Sequence, residues 1–313
     1  MWRNIFLSLL VLSVSCAKTS DRYREGSNAG QKSALTVEEE KKLTKEALPQ
    51  MKKDYPSTTN KELQAYITRL GQKLVQANKL NHNPYTYNFT VVESNQINAF
   101  ALPAGETFIT IPIIAMADSE AEIAGVIGHE IGHVVARHTA ERMAQQKAEQ
   151  KKMIGFGAIG AALGAGAGYF ASTKLCKEGD TACKLKYTGY GTAGGAAVGV
   201  MAQKYGFMKN SQEDELESDR IGFRYAVVAG YNKDKVGDFY SKLYALEQES
   251  KKGQNAAMSF ISDAMSSHPP SKSRVSQAQE MKGSVQSQGG MDSGPEFQRM
   301  KKIAQDIYAK LKK

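Results

Sequence analysis

The alternation of apolar and polar positions predicts a first half built of helix, helix, strand and strand. A capping box at Thr36 and Glu39 predicts a helix that begins there and runs to about Tyr55. Apolar residues at helical spacing predict a second helix; they are Leu63, Tyr66, Ile67, Leu70 and Leu74. Strands are predicted over residues 85–92 and 107–113, with a turn at residues 103–105 between them.

A second capping box, at Ser119 and Glu122, predicts the start of another helix. Residues 123–136 of this helix are apolar on nearly every side, which is typical of a helix buried in a core. The only charged residue in that span is Glu130. An unpaired buried carboxylate costs several kcal/mol or changes its protonation, so a purely structural role explains Glu130 poorly.

Glu130 belongs to a His-Glu-x-x-His motif in which His129 and His133 are four positions apart. Residues four apart on a helix point the same way, so both imidazoles face one point. This is the zinc-peptidase signature, with two nitrogen ligands and a glutamate that acts on water. The motif predicts one zinc ion per chain, and the alternative is a pair of satisfied core histidines. His138, on the opposite side of the same helix, is predicted to lie at the helix end or behind the ligands.

A catalytic zinc needs a third protein ligand, and the candidates lie in the acidic stretch 211–222. On an ideal helix Glu215 and Asp219 share a stripe with Gly222 and Ala226, which predicts that both carboxylates point inward. We expect Glu215 to bind the metal and Asp219 to accept the outer N–H of a ligating histidine. The opposite stripe is predicted to be a solvated, salt-bridged face, made of Glu213, Glu217, Arg220 and Arg224. The alternative is an acidic helix that is exposed to solvent.

Composition and charge are those of an ordinary globular protein of one large or two ordinary domains. The chain has 313 residues, of which 41% are hydrophobic, and its net charge is 41 − 32 = +9. The positive charges are dispersed and no nucleic-acid motif is present, so nucleic acid is not a predicted partner. The charge could favour anionic membrane surfaces or acidic substrates, although a solvated charged surface explains it better.

Residues 1–15 are predicted to be an export signal peptide. Arg3 precedes an apolar stretch, Ile5 to Val14, that is too short to span a membrane as a stable helix. The small residues up to Cys16 resemble a bacterial lipobox, which predicts lipidation of Cys16 and a flexible polar tether over residues 16–35. The protein would then be an exported periplasmic lipoprotein, anchored to the inner or the outer membrane. A plain cleaved signal and an uncleaved anchor are the alternatives.

Residues 153–206 are predicted to form an insert rich in glycine and alanine. Its first part, residues 153–173, carries no charge, and its glycines at 160, 164 and 168 recur as in close-packed membrane helices. Membrane insertion is one interpretation, but the run is barely long enough, so a helical hairpin over the domain or dipping into a membrane surface is favoured. Cys176 and Cys183 are predicted to form a disulfide in an oxidising compartment, since zinc binding would need two more ligands.

Four segments together resemble the HtpX/BepA/LoiP-type zinc metallopeptidases, relatives of the CAAX prenyl endopeptidases. They are NAFALPAGETFITIP at 98–112, SEAEIAGVIGHEIGHVVARH at 119–138, ELESD at 215–219 and SSHPPSKSR at 266–274. The resemblance covers residues 36–280 and implies an α+β fold, mainly helical and gluzincin-type, with a small β-sheet beside the motif helix. It also implies Glu215 as the third ligand. The insert departs from the family, and residues 281–313 are predicted to form a basic amphipathic helix where BepA-like members carry helical repeats.

The resemblance also suggests roles for residues that the helical pattern leaves open. His268 lies in a His-Pro loop with Arg274 six residues later, and in the family this loop approaches the active site. His268 would either bind the open zinc position or stabilise the oxyanion. A further implied element is the edge strand on which related peptidases align an extended substrate. The residues similar to it are Phe108, Ile109, Thr110 and Ile111.

The function implied by the resemblance is a zinc-dependent endopeptidase that cleaves unfolded or misfolded proteins in the bacterial cell envelope. One alternative is a lipid-tethered chaperone or assembly factor whose zinc site is latent or weakly active. Another is an integral membrane peptidase of the HtpX kind. Homo-oligomers and envelope assembly partners are compatible with each of these functions.

Overall fold

The computed structural model describes residues 26–28, 30–145, 148, 210–252, 255–285 and 289–312. The predicted signal peptide, the lipidated Cys16, the insert at 153–206 and the Cys176–Cys183 disulfide therefore lie outside the described residues. Among the residues that are described, no helix is both long enough and apolar enough to cross a membrane.

The first two helices form as the sequence pattern predicts. Helix α1 is Val37–Asp54, and the Thr36 side chain accepts from the Glu39 backbone N–H in a capping box. Helix α2 is Lys61–Ala77, begins at the cap residue Asn60, and buries the predicted apolar stripe. A short 3-10 helix, Leu80–His82, follows it.

The sheet has three strands: β1 is Asn88–Val92, β2 is Ala99–Ala101 and β3 is Glu106–Thr110. A 3-10 turn at Pro103–Gly105 joins β2 to β3. The order is β1-β3-β2, with β1 parallel and β2 antiparallel to β3. The predicted second strand is too long, because Ile111 starts helix α3, Ile111–Met116. Proline fits the first turn of a helix but cannot donate to a strand ladder, so Pro112 ends the strand.

The predicted substrate edge strand is wrong. Phe108, Ile109 and Thr110 belong to the central strand β3, whose two sides are already paired with β1 and β2. Ile111 lies in helix α3. Apolar content identified a buried strand but carried no information about its neighbours. Among the strands that the structure describes, β2 is the edge strand that lies beside the site.

Two helices in backbone contact form the centre of the molecule. Helix α4, Glu120–Val135, starts at the predicted Ser119 cap, and helix α6 is Gln212–Val228. A Cβ on Gly222 would lie 2.4 Å from the His129 backbone nitrogen, and one on Gly128 would lie 2.7 Å from the Gly222 carbonyl oxygen. These two glycines therefore let the backbones of α4 and α6 come into direct contact.

Helix α4 ends earlier than the sequence suggests. Ala136 is its C-cap, Arg137 has a left-handed φ of 55°, and a separate helix α5 covers residues 138–145. The prediction that His138 continues the motif helix is wrong, because this turn redirects the chain just before His138.

The remaining helices complete the wall around the central pair. They are α7 (Lys233–Val236), α8 (Asp238–Lys251), α9 (Asn255–Ser267), α10 (Lys272–Ser284) and α11 (Phe297–Leu311). Helix α10 packs on α6, and the amphipathic α11 packs on α3 and α2. These contacts leave α4 and α6 enclosed on several sides.

The described part of the predicted tether is held against the end of α4. Asn28 Nδ2 donates to the Val135 carbonyl oxygen at 3.0 Å, and Gln31 Nε2 donates to the Ala136 carbonyl oxygen at 2.6 Å. The Ala34 backbone N–H donates to the Ala140 carbonyl oxygen at 3.1 Å. The first two contacts satisfy carbonyl groups at the end of α4 that have no partner within the helix, and the third joins this segment to α5.

Candidate metal centre

Helices α4 and α6 bring His129, His133 and Glu215 together. The two Nε2 atoms are 2.9 Å apart, and each lies 3.3 Å from one of the Glu215 carboxylate oxygens. Glu215 is fully buried, and the two histidines are 3% and 9% exposed. The inward direction expected for Glu215 from the small-residue stripe of α6 agrees with its position in the fold.

The hydrogen bonds behind the two imidazoles indicate which ring atoms face the shared point. His129 Nδ1 is 2.7 Å from Asp219 Oδ1, so this nitrogen carries the hydrogen that the carboxylate accepts. His133 Nδ1 is 2.8 Å from His138 Nδ1. Both Nε2 atoms therefore point at one place beside the Glu215 carboxylate. Two imidazole nitrogens and a carboxylate that converge in this way are a donor set that suits zinc.

His268 completes a group of four side chains that could hold a metal ion. The ligand atoms of His268, His129, His133 and Glu215 all lie within 4.8 Å of one another. His268 Nδ1 is 3.0 Å from Glu215 Oε1 and 3.3 Å from His129 Nε2. Helix α9 ends just before it, and the His268 backbone N–H still donates to the Ala264 carbonyl oxygen of that helix.

Glu130 lies beside these four side chains but is not one of the group that could bind a metal ion. It is 2% exposed, and its Oε2 has no hydrogen-bond partner within the part of the chain that the structure describes. Its Oε1 is 3.6 Å from His268 Nε2. Burial raises the pKa of Glu130 above its ordinary value. The side chain faces a cavity also lined by Asn98, Ala99 and Tyr240.

Asp219 and Arg274 form a buried ion pair behind His129. Arg274 Nε and Nη2 each donate to one Asp219 oxygen at 2.7 Å, and Arg274 Nη1 is 2.7 Å from Glu215 Oε2. Burial alone would raise the pKa of Asp219, but Arg274 and His129 hold it below its ordinary value. Arg274, which resemblance alone had suggested, thus contacts both inward carboxylates of α6.

Glu217 is not on a solvated face, so that prediction is wrong. It is fully buried, and its Oε2 lies 3.3 Å from His138 Nε2. A helical wheel assumes that one side of a helix is covered, whereas α6 packs on α4 and α10 while its Glu217 side meets His138 and Gly26. Arg220 and Arg224 are half-buried, and Glu213 is exposed.

Three further polar residues at the site were missed. Asn98 is 1% exposed and Tyr240 is 6% exposed, and both line the cavity beside Glu130. Asn210 Nδ2 is 3.1 Å from His133 Nε2 and 3.3 Å from His268 Nδ1, while Arg142 donates to its carboxamide oxygen. A polar residue at the start of an apolar strand could have drawn attention to Asn98. The sequence gives no comparable signal for Tyr240 or Asn210.

Comparison with known protein families assigns the chain to one of them. The residue pattern of peptidase family M48 matches residues 61–282, which is more than half of the chain. The protein belongs to peptidase family M48. Membership confirms that the chain resembles the metallopeptidases, and it agrees with the mainly helical α+β fold with a small sheet.

The M48 chain is similar to several curated proteins. It is 28% identical over 253 residues to a beta-barrel assembly-enhancing protease of Yersinia pestis, covering 81% of this chain and 45% of the relative. It is 26% identical over 218 residues to the protein of that name from Escherichia coli (strain K12), covering 70% and 40%. A putative beta-barrel assembly-enhancing protease of Vibrio cholerae is 24% identical over 213 residues, with 67% and 39% covered. The chain thus spans less than half the length of these relatives.

Proposed function

We propose that the protein is a zinc-dependent endopeptidase that cleaves unfolded or misfolded proteins in the bacterial cell envelope. One zinc ion per chain would be held by His129, His133 and Glu215. The observation that carries the proposal is the convergence of two imidazole nitrogens and a carboxylate beside the buried Glu130. Family membership supports the reaction class, and the names of the relatives support the envelope setting.

The reaction proposed is hydrolysis of a peptide bond. When bound, zinc would polarise the scissile carbonyl and lower the pKa of water. Glu130 would accept a proton from the attacking water at Oε2 and deliver it to the leaving amine nitrogen. Its burial favours this double role, because a raised pKa lets the carboxylate hold a proton between the two steps.

The substrate would bind as an extended peptide along the open edge of β2. Ala99 of this strand and the neighbouring Asn98 both line the cavity beside Glu130. Asn98 Nδ2 is buried without a hydrogen-bond partner in the described residues, which suits a donor to a substrate carbonyl. Only unfolded or loop segments can add to a strand edge in this way, which explains the proposed substrate class.

The cellular location is also a proposal. Export through residues 1–15 and lipidation at Cys16 would place the enzyme in the periplasm, attached to a membrane. The beta-barrel assembly-enhancing proteases suggest envelope assembly partners for this chain. Cys16→Ser should release the protein from the membrane fraction of bacterial cells. Retention of that variant in the membrane after carbonate extraction would favour an integral membrane peptidase.

A latent, gated site is the second candidate, and the position of His268 favours it. Its Nδ1 lies 3.0 Å from Glu215 Oε1, where it would compete with substrate and water for the open position of the metal. A protein in this state would bind unfolded chains and cut them rarely. His268→Ala should then raise the rate of casein cleavage, whereas His82→Ala, at an exposed histidine, should leave it unchanged.

The test of the principal proposal is Glu130→Gln, compared with the wild type in casein digestion. We expect the variant to retain zinc and to lose about 10²–10⁴-fold in rate, the range for removal of a general base. A chelator should abolish the wild-type activity, and zinc should restore it. Full activity of Glu130→Gln would contradict the mechanism.

A further inference from the structure

A second row of buried groups lies behind His133, and the proposed chemistry does not use it. His133 Nδ1 is 2.8 Å from His138 Nδ1, and His138 Nε2 is 3.3 Å from Glu217 Oε2. His138 and Glu217 are both fully buried. The Gly26 backbone N–H donates to the other carboxylate oxygen, Glu217 Oε1, at 3.1 Å.

The turn after α4 places His138 in this row. Arg137 adopts a left-handed φ of 55°, which is uncommon for a residue with a side chain. Its guanidinium group is held by Glu40 Oε2 at 3.0 Å and by the Leu35 carbonyl oxygen at 2.7 Å. This anchored turn brings the ring of His138 back against the ring of His133.

The hydrogen positions in this row are mutually consistent. With the metal at His133 Nε2, the hydrogen of that ring is on Nδ1 and is donated to His138 Nδ1. His138 then carries its own hydrogen on Nε2 and donates it to the Glu217 carboxylate. Ser218 Oγ, 3.3 Å from His138 Nδ1, also faces this acceptor atom. Asp214 Oδ1, 3.8 Å from His138 Nε2, lies on the same side as Glu217 and adds negative charge there.

We propose that His138 and Glu217 are positioning residues for zinc, acting through His133. Together they fix the ring orientation and tautomer of His133 and raise the basicity of its Nε2, as carboxylates commonly do behind ligating histidines. The inference rests on the proposed zinc site, but it concerns residues that touch neither the ion nor the substrate.

The test is zinc affinity, measured by competition with a chromophoric chelator on the full chain. His138→Phe keeps a ring but removes both nitrogens, so we expect zinc to bind about 10- to 100-fold more weakly. His138→Asn restores an acceptor near Nδ1 and should recover part of that loss. Glu217→Gln removes the charge at the end of the row and should weaken binding by a smaller factor.

Glu120→Gln is the matched control. Glu120 is also buried on the central helix pair and also accepts two hydrogen bonds, from the Tyr66 and Tyr231 hydroxyl groups. It lies at the far end of α4 from the metal ligands. A merely structural role would lower the melting temperature of metal-free Glu217→Gln and Glu120→Gln alike without changing zinc affinity. The inference requires that zinc affinity fall for Glu217→Gln and remain unchanged for Glu120→Gln.

The outcomes separate this inference from the proposed function. If the wild type bound no zinc, the proposed function itself would be wrong. If the wild type bound zinc and the His138 and Glu217 variants bound it equally well, only the positioning role would be overturned. Should His138→Phe fail to fold, the comparison of His138→Asn and Glu217→Gln with the wild type still decides the question.

Discussion

The two histidines of the motif share one helix but are backed by different chemistry. Behind His129 stand a carboxylate and a guanidinium group, Asp219 and Arg274, joined by contacts of 2.7 Å. Behind His133 stands the imidazole ring of His138, followed at 3.3 Å by the Glu217 carboxylate. The difference teaches that equal ligands can be oriented by an ion pair or by a chain of hydrogen bonds. Removing one arrangement or the other should therefore lower the free energy of unfolding and the zinc affinity by different amounts.

Breaking the ion pair should have the largest effect on stability. Asp219→Asn leaves the buried Arg274 with one charged partner fewer, so we expect the free energy of unfolding to fall by about 3–5 kcal/mol. Urea unfolding of the metal-free protein measures this fall. Asp263→Asn is the control, since Asp263 is also buried but accepts from the neutral Tyr55 hydroxyl group. Equal losses in the two variants would show that the ion pair behind His129 has no special role.

Separating α4 from α6, the two helices that carry the metal ligands, should have the next largest effect on stability. In Gly222→Ala the new Cβ would lie 2.4 Å from the backbone nitrogen of His129, so α6 must move away from α4. We expect a loss of about 1–3 kcal/mol in the free energy of unfolding, together with weaker zinc binding. Gly283→Ala in α10 is the control, because nothing lies within 4 Å of its Cβ position. A stable Gly222→Ala protein with normal zinc affinity would contradict the close helix contact.

The smallest expected effect is on the pH dependence of zinc binding, to which His129 and His133 should contribute differently. Burial lowers the pKa of His129, but Glu215 and Asp219 outweigh it and raise that pKa to about 9 in the metal-free protein. Burial and the neighbouring His129 hold the pKa of His133 well below its ordinary value. Zinc must therefore displace a proton from His129 below pH 9, but none from His133.

Zinc affinity should consequently fall about tenfold for each pH unit between pH 8 and pH 6, because binding releases one proton. Asp219→Asn, which removes one of the charges that raise the pKa of His129, should flatten this profile. Chelator competition at several pH values measures both slopes. An affinity independent of pH over that range would show that His129 is already deprotonated.

The sequence was a good guide where one residue pattern determines one local structure. Helices start at the caps Thr36 and Ser119 as predicted, and α4 is buried on all sides as its apolar composition indicates. The full capping box forms at Thr36, whereas at the start of α4 the Glu122 carboxylate accepts from the Asp118 backbone N–H. The small-residue stripe of α6 correctly predicts that Glu215 and Asp219 face inward. Their roles as ligand and hydrogen-bond acceptor stay predictions until metal binding is measured.

The sequence was a poor guide where structure depends on distant partners. Glu217 is buried because Gly26 and His138, which lie far from it in the chain, contact its carboxylate. The place of β3 at the centre of the sheet depends on its pairing with β1 and β2, which apolar alternation cannot specify. The position of His138 depends on a single left-handed residue, Arg137, that no periodicity reveals.

The most direct measurement of the central claim is the metal content of the full-length protein, purified without chelator. Elemental analysis should find one zinc ion per folded chain, and Glu215→Gln should hold far less. Dialysis against a chelator followed by added zinc should restore the same stoichiometry. Folded wild-type protein that contained no zinc and took none up would contradict the account.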